Sequence, residues 1–287
     1  MITIMDGKEV ANGVKQQMKE IVEVRKLKPK LAVIQVGDNK ASSVYVRNKS
    51  KACSDVGIEF KDYKLPENIS SDEVVDLIKT LNSDDSVSGI LLQQPVPKHL
   101  EGLERLIDVR KDVDGFTAES LGLMVRGDYG YTPCTTYGIF ELLDNYRISV
   151  EGKHIVIVGR SNIVGKPTML EMLNANATVT VCHSKTRNLA EITRTADILI
   201  VAIGKPAFIT NTHIGDNTNV VIDVGINRLE TGDLIGDCNH SAIMEKWNYL
   251  EKKGINTSDK YITPVPGGVG PMTIAGLIHN VVISTLK

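Results

Sequence analysis

Apolar residues at Val10, Val14, Met18, Ile21 and Val22 recur at helical spacing, and "LAVIQVG" after them is a short aliphatic run closed by glycine. The pattern predicts a helix followed by a buried strand. The stretch around "SSVYVRNKSK" predicts a second helix, closed near Gly57, and "IEFKDYKL" the next strand. Ser70 and Glu73 have capping-box spacing ahead of "VVDLIKTL", and "GILLQ" predicts a third strand ending near Gln93. Strand and helix alternate, so a parallel sheet covered by helices is expected.

The pattern then restarts. "TPCTTYGIFELLDNY" predicts a helix with Thr135 or Thr136 as its cap, and "KHIVIVGRSNIVGKPTMLEML" a strand, a glycine loop and a helix. "ATVTVCH", "ADILIVAIG" and "NVVIDVG" predict further strands, each separated by enough residues for a crossover. "TPVPGGVGPMTIAGLIHNVVIS" reads as a Pro/Gly loop and a helix, with Pro271 in its first turn and an apolar stripe of Ile274, Leu277, Ile278, Val281 and Val282. Two α/β units are expected, 1–119 and 120–268, with the helix from about 269 to 287 packing back on the first.

Size supports that division, because 287 residues exceed the usual single core. Thirty-three basic against thirty-five acidic residues give a net charge of -2 without a basic tract, which argues against nucleic acid or an anionic membrane as partner. Small molecules become the expected ligands. "MITIMDGKEV" carries Asp6, Lys8 and Glu9 where a signal peptide needs an apolar core, and the run Ile198 to Ile203 is too short to span a bilayer. A cytoplasmic protein is expected. Cys53, Cys134, Cys182 and Cys238 are widely separated, with no C-x-x-C or H-E-x-x-H, so reduced, mostly buried thiols are expected and no metal site is signalled.

In "VIVGRSNIVGKP", Gly159 and Gly165 stand between a strand and a helix, where backbone N–H groups and the helix dipole can hold a pyrophosphate. The spacing is G-x-x-x-x-x-G, without the middle glycine of the usual fingerprint, and a plain strand-to-helix turn is the alternative. An NAD-binding unit carries Asp or Glu about twenty residues on to take the ribose hydroxyls. Between Glu171 and Glu191 there is no acidic residue; the strand ends in "CHSKTR", which offers Ser184, Lys185 and Arg187, and Arg160 lies in the loop. Those donors suit a phosphate on the ribose and favour NADP.

Tyr45 and Lys49 lie one helical turn apart, the spacing of the working pair in short-chain dehydrogenases. There the glycine loop comes first in the chain; here it comes more than about a hundred residues later, and that reading fails on order. Tyr45, Lys49, Ala52, Cys53 and Val56 form one inward stripe while Arg47 and Lys51 point elsewhere, so Lys49 is either an ordinary helical lysine or a partly desolvated one whose neutral form is favoured. Gln93 and Gln94 follow "GILL" at the carboxyl end of a strand, where open parallel sheets place their ligands. "KDVDGF" is an Asp-Gly turn, or presents a carboxylate (Asp112 or Asp114) to a two-donor ligand edge. "PVPGGVGP" is a linker, or a loop whose glycines admit a flat ligand. His183 reads as a packing or capping residue rather than a base.

Taken in order, "ASSVYVRNK", "LLQQPVP", "KDVDGF", "GRSNIVGKP", "TVTVCHSKT", "VIDVGIN" and "TPVPGGVGPMT" resemble the bifunctional methylenetetrahydrofolate dehydrogenase/cyclohydrolase family over essentially the whole chain. The resemblance implies two α/β domains with parallel sheets, the second a Rossmann-like NADP-binding domain, with an active-site cleft between them. It implies NADP-dependent oxidation of 5,10-methylenetetrahydrofolate, hydrolysis of the methenyl product to 10-formyltetrahydrofolate, and a homodimer. Carried over by motif, Lys49, Tyr45 and Gln93 are catalytic, with Gln93 orienting Lys49; Asp114, Tyr45, Pro266, Gly267 and Gly268 bind the folate. Gly159, Arg160, Ser161, Ile163, Gly165, Ser184, Gly204 and Ile226 are carried over as cofactor contacts, Arg160 and Ser184 to the ribose phosphate. Gln94 stands where the motif has leucine. Two rivals are a dehydrogenase without the hydrolase, against which Lys49 and Gln93 argue, and a non-catalytic nucleotide-binding regulator, which would show a missing lysine or an interrupted folate loop.

Overall fold

The computed structural model describes residues 2–38, 40–128 and 130–286, the side chains of 40–44 excepted. The chain runs β1 (Thr3–Ile4), α1 (Gly7–Arg25), β2 (Lys30–Val36), α2 (Lys40–Val56), β3 (Glu59–Leu65), α3 (Ser71–Ser83), β4 (Gly89–Leu92), α4 (Ala118–Arg126) and α5 (Cys134–Asn145). It continues with β5 (His154–Val158), α6 (Gly165–Asn174), β6 (Thr178–Cys182), α7 (Leu189–Thr193), β7 (Ile198–Val201) and β8 (Val220–Asp223). Last come a hairpin of β9 (Asn227–Arg228) and β10 (Leu234–Ile235), then α8 (His240–Lys252), β11 (Tyr261–Ile262) and α9 (Val269–Ser284). Packing divides the chain into an N-terminal unit of 11–134 with 274–287 and a C-terminal unit of 135–273 with 1–10.

In the N-terminal unit the sheet order is β3-β2-β4, parallel throughout. Central β2 is buried from Leu31 to Val36, and Ala32, Ile34 and Val36 pack with Ile90 and Leu92 of β4 and with Val74, Ile78 and Leu81 of α3. A central parallel strand is covered on both faces, which is why it reads as an apolar run interrupted by a single polar residue, the buried Gln35. The expected capping box opens α3: Glu73 N donates to Ser70 Oγ and Ser70 N to Glu73 Oε2, at 3.3 and 3.2 Å. A Cβ on Gly89 would lie 2.6 Å from Val113, so glycine there lets the "KDVDGF" segment run against β4, where Asp112 bridges Ile90.

Lys111 closes the other end of α3. Its ammonium donates to the carbonyls of Leu81, Asn82 and Asp84 at 2.9, 2.8 and 2.8 Å, supplying the partners that the last turn of a helix lacks. Lys111→Met keeps the stem and strands those acceptors. It should lower the stability of this unit by about 2 to 3 kcal/mol, seen as a fall of roughly 5 to 10 °C in its melting transition. An unshifted transition would show that water replaces the ammonium without cost.

In the C-terminal unit the sheet order is β1-β11-β8-β7-β5-β6, again parallel. Ile243, Trp247 and Leu250 of α8 pack on Val156, Leu199, Val201 and Val221 of the strands. After β5 the chain goes first to β6 on one side and then to β7 on the other, so strand order reverses at the β5/β7 junction. Ligands of open α/β sheets bind at such a point, outside the carboxyl ends of the strands. The loops starting at Gly159 and Ala202 leave the sheet there.

Four strands have no counterpart in the apolar pattern, the β9–β10 hairpin and the pair β1 and β11. β1 and β11 are two residues each, too short to show periodicity, yet Thr3 pairs with Tyr261 and Ile4 with Ile262, which carries the first ten residues into the C-terminal unit. The caps expected at Thr135 or Thr136 are corrected: α5 begins at Cys134, and both threonines lie inside its first turn. Their hydroxyls bond Thr273 and Thr168 instead, at 3.1 and 3.0 Å. Among the described residues no helix is long and apolar enough to cross a membrane. All four cysteines are free and buried.

Candidate active site

In "KDVDGF" the two acids differ in what surrounds them. Asp112, 2 % exposed, accepts N–H bonds from Gly115, Phe116 and Thr117 at 3.1, 3.2 and 2.8 Å and the Ser120 hydroxyl at 2.6 Å. It is the carboxylate that builds the turn. Gly115 completes it at φ +71, where a Cβ would lie 2.8 Å from Tyr131 O. Asp114 is thereby released from turn duty. It is partly buried and accepts the Cys134 thiol at 3.3 Å. Burial pushes its carboxyl above the usual carboxylate range, and the Lys49 ammonium pulls in the opposite direction.

On α2, Lys49, Ala52, Cys53 and Val56 are buried, while Arg47 and Lys51 are exposed, as the stripe predicts. Tyr45 departs from it: the ring is 45 % exposed, because the stripe leaves the core at its N-terminal end. Lys49 Nζ donates to Gln93 Oε1 at 3.0 Å, and Gln93 Nε2 donates to the Gln94 carbonyl at 2.7 Å. That second bond decides which end of the amide is oxygen and turns it toward Lys49. Gln93 itself is held by its N–H to Ile34 O, 2.9 Å, at the end of the sheet. The ammonium of Lys49 acts on Cys53 as well, though burial dominates there and pushes the thiol to about 12.

In the C-terminal unit the glycine loop leaves β5 at Gly159, φ +132, where a Cβ would overlap Ala202 O; one on Gly165 would overlap Gly159 O. Both glycines are demanded by backbone packed against backbone. Ser161 Oγ accepts N–H from Val164 and Gly165 at 3.2 and 3.4 Å and so holds the turn that leads into α6. Beside the loop is a cleft of about 260 Å³, lined among others by Gly159, Arg160, His183, Ser184, Lys205 and Phe208. Arg160 and Ser184, from loops after different strands, thus share one cleft whose named charged lining is basic, a donor set that fits a ribose phosphate. His183 caps its own turn: its ring Nδ1 accepts from Lys185 N at 3.1 Å and its backbone N–H donates to Thr186 Oγ1 at 2.8 Å.

Ile163 and Ile226 present apolar side chains at 46 % and 39 % exposure, and Gly204 has φ +63. Gly267 takes φ +111, and Gly268 donates to Pro264 O at 2.8 Å with room for no Cβ, so the "PVPGG" turn also belongs to this unit. Among the described residues no cluster of His, Cys, Asp or Glu could hold a metal ion.

Residues 5–114 match the catalytic domain of tetrahydrofolate dehydrogenase/cyclohydrolase, and residues 133–287 match the NAD(P)-binding domain of the same family. The chain belongs to the tetrahydrofolate dehydrogenase/cyclohydrolase family. It is 50 % identical to the bifunctional protein FolD of Agathobacter rectalis, over 98 % of each chain. The solved bifunctional enzyme FolD from Campylobacter jejuni superposes with a TM-score of 0.92 at 44 % identity, covering 100 % of this chain and 99 % of that one. The Trypanosoma brucei dehydrogenase-cyclohydrolase, solved with NADP and an inhibitor, has a TM-score of 0.88 at 30 % identity, with 99 % and 97 % covered.

Within this tetrahydrofolate dehydrogenase/cyclohydrolase, three residues near the proposed sites escape motif reasoning. Lys205 Nζ lies 5.2 Å from the centre of the Phe208 ring, and both line the cleft beside the glycine loop. The "GKPAF" stretch after β7 is their signal. Asp237, fully buried, accepts the N–H groups of Ile203, Gly204 and Lys205 at 2.7, 3.0 and 2.8 Å and the Asn227 amide at 2.9 Å. It shapes the loop that carries Gly204, and nothing local in "IGDCN" announces it.

Proposed function

We infer that the protein oxidises 5,10-methylenetetrahydrofolate with NADP and hydrolyses the resulting 5,10-methenyl compound to 10-formyltetrahydrofolate. The observation that carries this is the Lys49–Gln93 hydrogen bond, 3.0 Å, in the unit where Asp114 is left free of the turn. NADP supplies the hydride acceptor. Asp114 accepts the ring N–H and amino group of the pterin as two parallel hydrogen bonds. Tyr45, exposed on the Lys49 face of α2, offers a ring to stack on the folate, and Pro266, Gly267 and Gly268 give flat backbone for close approach. Oxidation asks for alignment, because the lone pair of the folate nitrogen drives hydride departure. Hydrolysis asks for more: water adds to the cationic methenyl carbon, the bond from that carbon to one ring nitrogen breaks, and of the water's two protons one leaves to solvent and the other must reach that nitrogen. Lys49, oriented by Gln93, relays it.

In the other unit Gly159, Ser161, Ile163, Gly165, Gly204 and Ile226 frame the cofactor, while Arg160 and Ser184 bind its ribose phosphate. One charge-assisted bond to phosphate is worth roughly 1.5 to 3 kcal/mol. Arg160→Ala should therefore lower kcat/KM for NADP about tenfold or more and leave NAD use unchanged; equal loss with both cofactors would refute the assignment. The family resemblance also implies a homodimer, and sedimentation at twice the chain mass is expected. The activity itself is tested by supplying methylenetetrahydrofolate with NADP or NAD and following reduced cofactor, methenyl compound and formyl product. Reduced cofactor without enzyme-dependent loss of methenyl compound would leave a dehydrogenase alone, and no turnover a nucleotide-binding regulator.

A further inference from the structure

We propose that Cys134 and Asn280 are positioning residues for the Asp114 carboxylate, an inference that rests on Asp114 anchoring the pterin. Neither residue belongs to the motifs carried over for catalysis or binding. Both are buried, 2 % exposed each, and Val113 between them is fully enclosed.

The thiol hydrogen of Cys134 has two acceptors at 3.3 Å, Val113 O and Asp114 Oδ1. Asn280 biases that choice. Its Nδ2 donates to Val113 O at 2.8 Å and to Thr132 O at 2.9 Å, while its Oδ1 lies 3.2 Å from His279 Nδ1, which orients the amide. The amide N–H occupies one lone pair of the Val113 carbonyl and the amide nitrogen lies 3.9 Å from Cys134 Sγ, so the carboxylate oxygen, the stronger acceptor, is the better partner for the thiol hydrogen. The Thr132 bond ties the segment entering α5 to the one carrying Asp114.

The functional consequence is angular. Two parallel donors on a ring edge are matched only when both carboxylate oxygens lie near the plane of that edge, and a terminal carboxylate torsion is otherwise broad. Asp112 spends its own oxygens on four donors of the turn and fixes the backbone. The Cys134 thiol then fixes the rotation of Asp114, with a second lone pair on Oδ1 and the whole of Oδ2 available to the ligand.

Two substitutions separate positioning from packing, because Cys134→Ser keeps a donor and loses volume while Cys134→Val keeps volume and loses the donor. Cys134→Val should raise KM for methylenetetrahydrofolate about three- to tenfold, with kcat at saturating folate and NADP affinity near those of the parent. Cys134→Ser should stay within about twofold of the parent KM, and Asn280→Leu should match Cys134→Val without adding to it in the double variant. If Cys134→Val does not fold, Cys134→Ala carries the same comparison. A parent-like KM in the donor-less variant, or a larger loss with serine than with valine, overturns the proposal. Asp114→Asn in the same series keeps the two failures apart. If it raises the folate KM while Cys134→Val does not, the positioning role alone is wrong; if it changes nothing, the pterin anchor lies elsewhere.

Discussion

Lys49→Met should lower hydrolysis of methenyltetrahydrofolate by at least about a hundredfold, the lower end of what a positioned proton relay contributes. Methionine retains the apolar stem that packs among Ala52, Cys53 and Val56, so the helix keeps its buried face. What disappears is the amine and, with it, the donor to Gln93 Oε1. Hydride transfer loses less, since proximity and the electrons of the folate ring carry that step. Methenyl compound should therefore accumulate beside NADPH. Both rates are to be measured on one folded preparation; a variant hydrolysing at near the parent rate would place the proton relay elsewhere and return "YVRNK" to an ordinary helix.

Asp114→Asn should raise the folate KM of both activities about ten- to a hundredfold with NADP affinity unchanged. The substitution keeps the shape but removes the charge and presents an amide donor to a donor edge, so one charge-assisted bond becomes a repulsive contact and the other weakens. A pH dependence accompanies it. Burial raises the Asp114 carboxyl above the usual range against the opposing pull of Lys49, so the ligand-binding anion is lost earlier on acidification than at an exposed aspartate. The parent KM should climb as pH falls toward that raised value, and the Asp114→Asn KM should stay flat across the same range. Folate kinetics identical to the parent in both respects would reduce the Asp-Gly turn to architecture.

Much of this was legible because it is local. A helix announces itself through residues three and four apart, a buried parallel strand through a short aliphatic run, and α3 through the Ser70–Glu73 box. The glycine loop shows in Gly159 and Gly165, and the missing acid between Glu171 and Glu191 shows in the sequence alone. The order of the motifs separated Tyr45 and Lys49 from the short-chain dehydrogenases. Lys49 and Gln93 were each visible as candidates.

Tertiary structure alone decided which acid of "KDVDGF" builds the turn, since Asp112 and Asp114 have the same chemistry and differ only in the N–H groups that surround them. It brought Cys134 and Asn280, 146 residues apart, together beside the segment that carries Asp114. It drew the first ten residues into the C-terminal sheet through two-residue strands, and set Asp237 beneath the Ile203–Lys205 loop. The reason is common to all four. Periodicity and capping record interactions within about one turn of chain, whereas strand pairing and buried polar bonds join residues whose partners are chosen by the packing of the whole unit, and a sequence read locally carries no mark of them.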